Sequence, residues 1–258
     1  MISLKDTIVC ITGASAGIGE ACARAFAAEG SHLMLTARRL DRVKALADTL
    51  AAEYGIQTFA ATLDVTRQHD VEKFFAGRTA PWNAIDILVN NAGLSRGLTK
   101  IFEGSIQDWE EMVDTNIKGL LYVTRAVLPG MVERKRGLVI NLGSIAGHQV
   151  YPGGNVYCAS KAAVNQLTWG MKMDLLGSGV RVCSVEPGLV QTEFSQVRFR
   201  GDTERASKVY ADTRPLKADD VAETVIFCAT RPPHVEITSV IIMPTDQASV
   251  NHVLRTSP

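Results

Sequence analysis

The sequence of 258 residues lacks an excess of either charge, because Lys and Arg total 27 and Asp and Glu also total 27. Proteins that bind nucleic acids or membrane surfaces usually present a basic field, so this balance argues against both roles. Lys5 and Asp6 interrupt the short apolar run at the amino terminus. That run therefore fits neither a signal peptide nor a membrane span.

Patterns typical of metal sites and disulfide frameworks are also missing. The five histidines are scattered without paired ligand spacing, so we expect no metal site. The five cysteines are odd in number and show no C-x-x-C spacing, which favours buried thiols in a reducing cytoplasm. Cys158 follows Tyr157 directly, but no base motif accompanies it as it would accompany a nucleophile.

No internal repeat, low-complexity tract or composition shift divides the chain, which favours a single domain over residues 1–258. Short apolar runs alternate with longer amphipathic stretches, the pattern of an α/β fold whose mostly parallel sheet is covered by helices on both faces. Seven strands are predicted near 7–11, 32–37, 57–63, 85–90, 137–143, 180–185 and 237–243. Helices are predicted near 17–29, 39–53, 67–78, 106–135, 155–176 and 218–229. Residues 188–216 show no clear element and are predicted to form a lid or binding loop.

A glycine-rich turn follows the first predicted strand, Thr-Gly-Ala-Ser-Ala-Gly-Ile-Gly over residues 12–19. Glycines permit a tight turn and let backbone N–H groups approach a pyrophosphate, whose charge a helix N-terminus favours. The second predicted strand ends in Arg38 and Arg39, with no acid where an NAD site would present one to the ribose. Two cations suit an adenosine 2′-phosphate, so the sequence favours NADP(H); the alternative is a pair of solvated arginines.

Tyr157 and Lys161 stand four residues apart, which places them on one face of the predicted helix. An ammonium group near a phenol stabilises the phenolate and lowers a pKa that is ordinarily about 10. We therefore expect Tyr157 to act as general acid toward a carbonyl oxygen, or as general base toward an alcohol. Ser144, at the end of a predicted strand, could hydrogen-bond the same oxygen. The alternative is an exposed helical Tyr and Lys.

Taken together and in order, the motifs of this chain resemble the short-chain dehydrogenase/reductase family over nearly its whole length. The resemblance rests on the glycine turn at 12–19, Asp64-Val65, Asn90-Asn91-Ala92-Gly93, Asn116, Ser144, Tyr157 with Lys161, and Pro187-Gly188. It implies a Rossmann-type, doubly wound domain that uses a nicotinamide cofactor.

The resemblance also implies roles for individual residues. Those for the cofactor phosphates are Gly13, Ser15, Gly17, Ile18 and Gly19 at the pyrophosphate and Arg38 and Arg39 at the 2′-phosphate. Those for the rest of the cofactor are Asp64 and Val65 at the adenine, Asn91, Ala92 and Gly93 at the ribose, and Pro187, Gly188, Val190 and Thr192 at the nicotinamide. Asn116, Ser144, Tyr157 and Lys161 are the implied catalytic residues, with Lys161 also bonding the nicotinamide ribose and Asn116 positioning a water between Lys161 and solvent. Many relatives that use NADP carry a basic residue where this chain has Ala16, so phosphate recognition would depend more on the two arginines.

Finer similarity lies in residues 127–134, 151–157, 186–190 and 192–202, which resemble the NADP-dependent 3-hydroxy acid dehydrogenases. That resemblance implies short 3-hydroxy acids and their oxo acids, malonic semialdehyde, or the sulfonate analogue sulfoacetaldehyde as substrates. It also implies a cytoplasmic homotetramer. The helices predicted at 106–135 and 155–176 carry surplus apolar residues that fit subunit contacts, although all of them could also belong to the core of one chain: Leu120, Leu121, Val123, Leu167, Trp169, Met171 and Met173.

The predicted lid carries our candidate for anion recognition. Residues 194–200 follow the Pro-Gly turn that would face the nicotinamide, so their side chains can fold over a reacting carbonyl. Arg198 is the candidate clamp for a carboxylate or sulfonate, with the Tyr151 hydroxyl on the opposite side. Arg200 is the alternative clamp, and a solvated Arg198 is a further alternative.

Two other functions fit parts of the pattern. A non-enzymatic NADP-sensing protein could share the fold, but such proteins typically lose the tyrosine or the lysine, and this chain keeps both. A reductase of carrier-bound 3-oxoacyl chains would keep the same catalytic residues and would need a basic docking surface and an apolar channel. The lid has basic residues but few apolar ones.

Overall fold

The computed structural model describes residues 2–256 and contains one sheet of seven parallel strands. The strands are β1 (Ile8–Thr12), β2 (His32–Ala37), β3 (Thr58–Thr62), β4 (Ile87–Asn90), β5 (Gly137–Leu142), β6 (Val180–Pro187) and β7 (Ser239–Ile242). Their spatial order is β3-β2-β1-β4-β5-β6-β7, and every neighbouring pair is parallel. The predicted doubly wound, seven-stranded α/β fold is confirmed.

Helices cover both faces of the sheet. They are α1 (Gly17–Ala28), α2 (Leu40–Tyr54), α3 (Gln68–Ala76), α4 (Ile106–Val113), α5 (Leu120–Glu133), α6 (Asn155–Asp174), α7 (Phe194–Arg198), α8 (Thr203–Tyr210) and α9 (Ala218–Ala229). α1, α2 and α9 pack on one face of the sheet, whereas α3, α5 and the end of α6 pack on the other. Among residues 2–256, no helix combines the length and the apolar character that crossing a bilayer requires.

The central strands are buried on both faces, which explains why they read as continuous apolar runs. Along β1, Val9 and Ile11 pack toward α1, while Ile8 and Cys10 pack toward the opposite helical layer. This alternation follows from the two-residue period of a strand. The carboxyl ends of all the strands meet at one edge of the sheet, where ligands bind in open α/β folds.

The helix predicted over residues 106–135 is not one continuous α-helix. α4 ends at Val113, a π-helical segment runs from Asp114 to Gly119, and α5 then begins at Leu120. The wider turn directs the side chain of Asn116 into the loop after β4, where its amide bonds to both backbone groups of Leu94. π-helical turns frequently occur at functional sites, and this one places a predicted site residue.

Residues 188–216, predicted as a loop, contain the two short helices α7 and α8. The segment leaves and returns at the same point, because Val190 and Leu216 form a parallel bridge. Gln191 N donates to Leu216 O at 2.8 Å, and Leu216 N donates to Leu189 O at 2.9 Å. We call residues 188–216 the lid segment. Its two ends are therefore hydrogen-bonded to each other, and the residues between them form two helices.

Candidate active site

A cleft of about 660 Å³ opens at the carboxyl ends of β1, β4, β5 and β6 and extends under the lid segment. All the predicted site residues except Gly19 and Asn116 line this cleft. The structure therefore brings together side chains that are up to 185 positions apart in the chain, from Gly13 to Arg198.

The glycine turn after β1 forms a cradle that leaves no room for side chains. Gly13 and Gly17 have φ values of 68° and 57°, in the left-handed region that glycine tolerates. A Cβ on Gly13 would lie 2.9 Å from Ala92 Cα, and one on Gly19 would lie 2.4 Å from Asn91 Nδ2. Gly19 is therefore needed behind the turn, which explains why it does not line the cleft.

The first turn of α1 provides backbone donors to this cradle. α1 begins at Gly17, and its N-cap residue Ala16 offers no side chain to the first N–H groups. Uncapped N–H groups at a helix N-terminus bind phosphate well. The residues present therefore fit a dinucleotide pyrophosphate.

Asn91 holds the turn in place with its side chain. Its Nδ2 donates to Thr12 O at 2.9 Å and to Gly13 O at 3.1 Å. The Thr12 hydroxyl in turn accepts from the backbone N–H of Ala92 at 3.1 Å. Because these groups are engaged with the glycine turn, contact with a cofactor ribose would come from backbone atoms of this stretch. At the adenine end, Asp64 Oδ1 accepts from Thr66 N at 3.0 Å, and Val65 lies beside it in the cleft wall.

The two arginines after β2 differ in their surroundings. Arg38 is exposed and lines the cleft. Arg39 donates from Nε and Nη2 to Ser15 Oγ, each at 3.1 Å, and from Nη1 to Glu193 Oε2 at 2.9 Å. Arg42 Nη1 donates to Glu193 Oε1 at 2.7 Å. Arg42 and Glu193 could not be identified from the sequence, since only the fold shows that residue 193 lies beside the start of α2.

The candidate catalytic residues form a buried floor. Tyr157 lies in the first turn of α6 and Lys161 one turn later, with 8% and 7% of their surfaces exposed. Lys161 Nζ donates to Leu142 O at 2.7 Å and lies 6.0 Å from the centroid of the Tyr157 ring. Ser144 follows β5; its hydroxyl accepts from Ala146 N at 3.1 Å and donates to Pro187 O at 3.4 Å. We call Ser144, Tyr157 and Lys161 the catalytic floor.

In the cofactor-free chain, the pKa of Tyr157 is not lowered as we expected from the nearby ammonium group. Burial is the largest influence, and it raises the pKa of Tyr157 above its ordinary 10. The positive charge of Arg198 and a hydrogen bond with Ser144 act in the opposite direction. Burial also lowers the pKa of Lys161 from 10.5 to about 8.

Asn116 lies behind the floor, not in the cleft. Its Nδ2 donates to Leu94 O at 2.8 Å and to Ser160 Oγ at 2.9 Å, and its Oδ1 accepts from Leu94 N at 2.8 Å. Ser160 Oγ donates to Tyr157 O at 2.8 Å. The side chain thus fixes the first turn of α6 against the loop after β4. The predicted water between Lys161 and solvent stays a prediction.

Arg198 reaches over the floor from α7. Its Nη2 donates to Tyr151 Oη at 3.0 Å, and its guanidinium carbon lies 5.4 Å from the centroid of the Tyr157 ring. Its Nε is buried and has no hydrogen-bond partner within residues 2–256. Burial raises the pKa of Tyr151, so its hydroxyl stays protonated at neutral pH.

Arg200 points away from the cleft. Its Nη2 pairs with Asp108 and lies 3.4 Å from Glu111 Oε1, both on α4. Arg96 Nε pairs with the other oxygen of Glu111 at 2.5 Å. These contacts attach the lid segment to α4, so of the two candidate arginines only Arg198 faces the catalytic floor.

Residues near the carboxyl terminus also line the cleft, although no sequence motif marks them. Gln247 Oε1 accepts from Leu189 N at 2.7 Å, and a Cβ on Gly188 would lie 2.3 Å from that oxygen. Asp246 Oδ1 pairs with Arg214 Nη2 at 2.7 Å at the end of the lid segment. Since nothing in this stretch forms a local motif, its position could not be read from the sequence. The other lining residues that we did not predict include Leu98, Phe194, Val197, Tyr210, Val250, Val253 and Arg255.

Thiols do not form a nucleophilic centre in this cleft. All five cysteines are buried and unpaired in disulfides. Burial raises the pKa of the Cys158 thiol, which disfavours the reactive thiolate. Within residues 2–256, no group of three or more His, Cys, Asp or Glu side chains is arranged to hold a metal ion.

Comparison with known proteins agrees with this geometry. The profile described as short chain dehydrogenase matches residues 7–202. NADP-dependent 3-hydroxy acid dehydrogenase YdfG of Salmonella typhi is 50% identical over 242 residues, which cover 93% of this chain and 96% of that protein. Sulfoacetaldehyde reductase 2 of Chromohalobacter salexigens is 45% identical over 242 residues, covering 93% and 95%. The closed form of serine dehydrogenase complexed with NADP+ superposes with a TM-score of 0.90 at 46% identity, covering 97% of this chain and all of that one.

Proposed function

Because this chain belongs to the short chain dehydrogenase family, we propose that it is an NADP(H)-dependent oxidoreductase acting on short anionic 3-hydroxy acids and their oxo forms. Malonic semialdehyde and its sulfonate analogue sulfoacetaldehyde are the substrates that we favour. One observation carries the substrate class: Arg198 is half-buried above the catalytic floor, and its buried Nε has no hydrogen-bond partner within residues 2–256. Similarity to a 3-hydroxy acid dehydrogenase and a sulfoacetaldehyde reductase supports the same class.

The proposed cofactor fits the residues of the cleft. The cradle of Gly13, Gly17 and Gly19 would hold its pyrophosphate, and Arg38 with Arg39 would hold its 2′-phosphate. The two residues directly after β2 are both arginines, where a carboxylate would repel that phosphate. When bound, the nicotinamide supplies or accepts the hydride.

Proton transfer is the proposed task of the catalytic floor. Burial keeps the Tyr157 phenol protonated at neutral pH, so that it has a proton to donate to a carbonyl oxygen during reduction. The Ser144 hydroxyl would hydrogen-bond the same oxygen. Lys161, with a pKa lowered to about 8, remains mostly cationic at neutral pH and would stabilise the charge left on the phenol.

Anion recognition is the proposed task of Arg198. A guanidinium can donate two parallel hydrogen bonds to a carboxylate or sulfonate. Arg198 donates from Nη2 to Tyr151, and its Nε has no hydrogen-bond partner in the described part of the chain, so it retains donors for a ligand. Three aromatic rings surround it, and the low polarity there strengthens a charged contact. Such a contact is worth roughly 1.5–3 kcal/mol, or about 10–150-fold in binding.

A cofactor-depletion assay tests this function. NADPH or NADH is mixed with the enzyme and, in turn, malonic semialdehyde, sulfoacetaldehyde, a neutral aldehyde of equal size and an acetoacetyl thioester. We expect kcat/KM to be at least about tenfold higher with NADPH than with NADH. With NADPH, we expect kcat/KM to be at least about tenfold higher for the anionic aldehydes than for the neutral one. A higher kcat/KM for the thioester would instead identify a reductase of carrier-bound chains, and equal use of NADH would contradict the cofactor.

We also propose a homotetramer. Trp169 and Met173 on α6 are 50% and 77% exposed, which supports a contact with another copy. Leu120 and Val123, which we predicted for the same contact, are buried within the chain. Light scattering after gel filtration measures the assembly, and a monomeric mass would contradict it. The predicted cytoplasmic location remains a prediction.

A further inference from the structure

Glu193 bridges the lid segment and the arginines next to the glycine turn. It lies one residue before α7, and its two carboxylate oxygens accept from different arginines of the opposite wall. Arg39 Nη1 donates at 2.9 Å and Arg42 Nη1 at 2.7 Å. These hydrogen bonds, from Arg42 first and then Arg39, lower the pKa of Glu193, so the carboxylate is ionised at neutral pH.

Hydrogen bonds to Ser15 and Glu193 occupy both edges of the Arg39 guanidinium that could bind a phosphate. A guanidinium grips a phosphate with a pair of parallel N–H donors. On Arg39, the Nε and Nη2 edge donates to Ser15 Oγ, and the edge formed by the two Nη atoms has its Nη1 bonded to Glu193. Two-point binding of a phosphate by Arg39 must therefore displace either Ser15 or Glu193.

Glu193 is the partner that a phosphate would displace. It carries the same sign of charge as the phosphate and would stand beside it, whereas the Ser15 hydroxyl is neutral and can itself donate to a phosphate oxygen. The three charged side chains are between 39% and 48% exposed, so exchanging one anion for another does not require the core to open.

We propose that Glu193 is a specificity-determining residue that competes with the cofactor's 2′-phosphate for Arg39. It therefore weakens the binding of NADP(H) while leaving that of NAD(H) unchanged. This inference rests on the proposed function, because it requires that the arginines after β2 receive the 2′-phosphate.

Equilibrium binding tests the competition without any turnover. Dissociation constants for NADPH and NADH are measured by cofactor fluorescence in the wild-type chain, in Glu193→Gln and in Glu204→Gln. Glu204 is a matched control, because it is an exposed glutamate of the lid segment that, among residues 2–256, pairs only with Lys208 and does not line the cleft. Adenosine 2′,5′-diphosphate and ADP, titrated by calorimetry, repeat the comparison without the nicotinamide.

We expect Glu193→Gln to bind NADPH and adenosine 2′,5′-diphosphate at least about threefold more tightly, the scale of a partly exposed ion pair. NADH and ADP should bind as they do to the wild type, and Glu204→Gln should match the wild type for all four ligands. A smaller selective gain, weaker NADPH binding, or an equal change for both cofactors would overturn the inference. If the wild type itself binds NADH as tightly as NADPH, the proposed cofactor is wrong, which is a different outcome.

Discussion

The catalytic floor and the lid segment are built in opposite ways. Tyr157 and Lys161 are more than nine-tenths buried. Hydrogen bonds fix both residues, from Lys161 Nζ to the Leu142 carbonyl and from a neighbouring serine to the Tyr157 carbonyl. The lid segment instead attaches to the rest of the chain through partly exposed ion pairs, such as those of Glu193 and Arg200. Arg198 is the exception, since it is the lid residue whose Nε is buried above the floor.

We infer from this difference that the floor carries out the chemical step and that the lid segment selects the substrate. A buried, hydrogen-bonded floor holds its geometry whatever substrate is present, as proton transfer requires. Exposed ion pairs contribute little stability each, so changing one of them in the lid segment should disturb the fold little. We therefore expect changes in the floor to affect all substrates alike, and changes in the lid segment to affect some substrates more than others.

The largest expected effect is the loss of the phenolic proton. Tyr157→Phe removes only the hydroxyl, so kcat should fall by about 10²–10⁴-fold with every aldehyde. NADPH affinity, measured by fluorescence titration, should change little, because the ring remains. If more than about a tenth of wild-type turnover survives, the phenol is not the general acid.

A second effect should appear in the free energy of unfolding, because the floor contains the ammonium group of Lys161, whose burial disfavours its charge. The pKa of Lys161 is about 8 in the folded chain against an ordinary 10.5, so the unfolded chain binds more protons between these values. Stability should therefore rise as the pH increases from 8 to 10.5. Below pH 8 the buried charge costs on the order of 3 kcal/mol.

Lys161→Met should accordingly abolish activity yet stabilise the cofactor-free chain at pH 7. The net gain should be about 2 kcal/mol, since leaving the Leu142 carbonyl without its donor costs about 1 kcal/mol. Urea unfolding measures it, with Lys172→Met as the control because Lys172 is only partly buried and is paired with Glu236. Destabilisation by Lys161→Met would show that burying the ammonium group of Lys161 does not destabilise the folded chain.

The smallest of these effects concerns the cofactor end of the cleft. Arg38→Asp places a like charge beside the proposed 2′-phosphate and should weaken NADPH binding by about tenfold, while NADH binding should not weaken. Lys44→Asp reverses a charge on the exposed side of α2 and should leave both dissociation constants unchanged. Equal weakening of both cofactors by Arg38→Asp would indicate a general structural role.

The floor was predictable from the sequence, and much of the lid segment was not. Tyr157 and Lys161 lie four residues apart on one helix, and the glycine turn is contiguous, so local spacing identified both. The strands were predicted within two residues at each boundary, because their apolar runs are continuous. The π-helical segment at 114–119 escaped prediction, because the apolar periodicity of 106–135 carries no sign of the break.

Contacts between distant parts of the chain account for what was missed. Glu193 meets Arg39 across 154 positions, and Gln247 meets Leu189 across 58, so neither pair forms a pattern that a sequence displays. The pKa of Tyr157 was misjudged for a related reason. The direction in which this pKa shifts depends on the burial of the phenol, which only the folded chain reveals.

The division between floor and lid is tested most directly by one ratio, the kcat/KM for malonic semialdehyde divided by that for a neutral aldehyde of equal size. It is measured with NADPH in the wild type, in Arg198→Ala and in the matched variant Arg200→Ala. We predict that Arg198→Ala lowers the ratio by about 10–150-fold, because only the charged substrate loses a partner. Arg200→Ala should leave the ratio unchanged, since Arg200 pairs with α4 outside the cleft. An unchanged ratio in Arg198→Ala would contradict the account, because Arg198 would then support the lid segment without reading the anion.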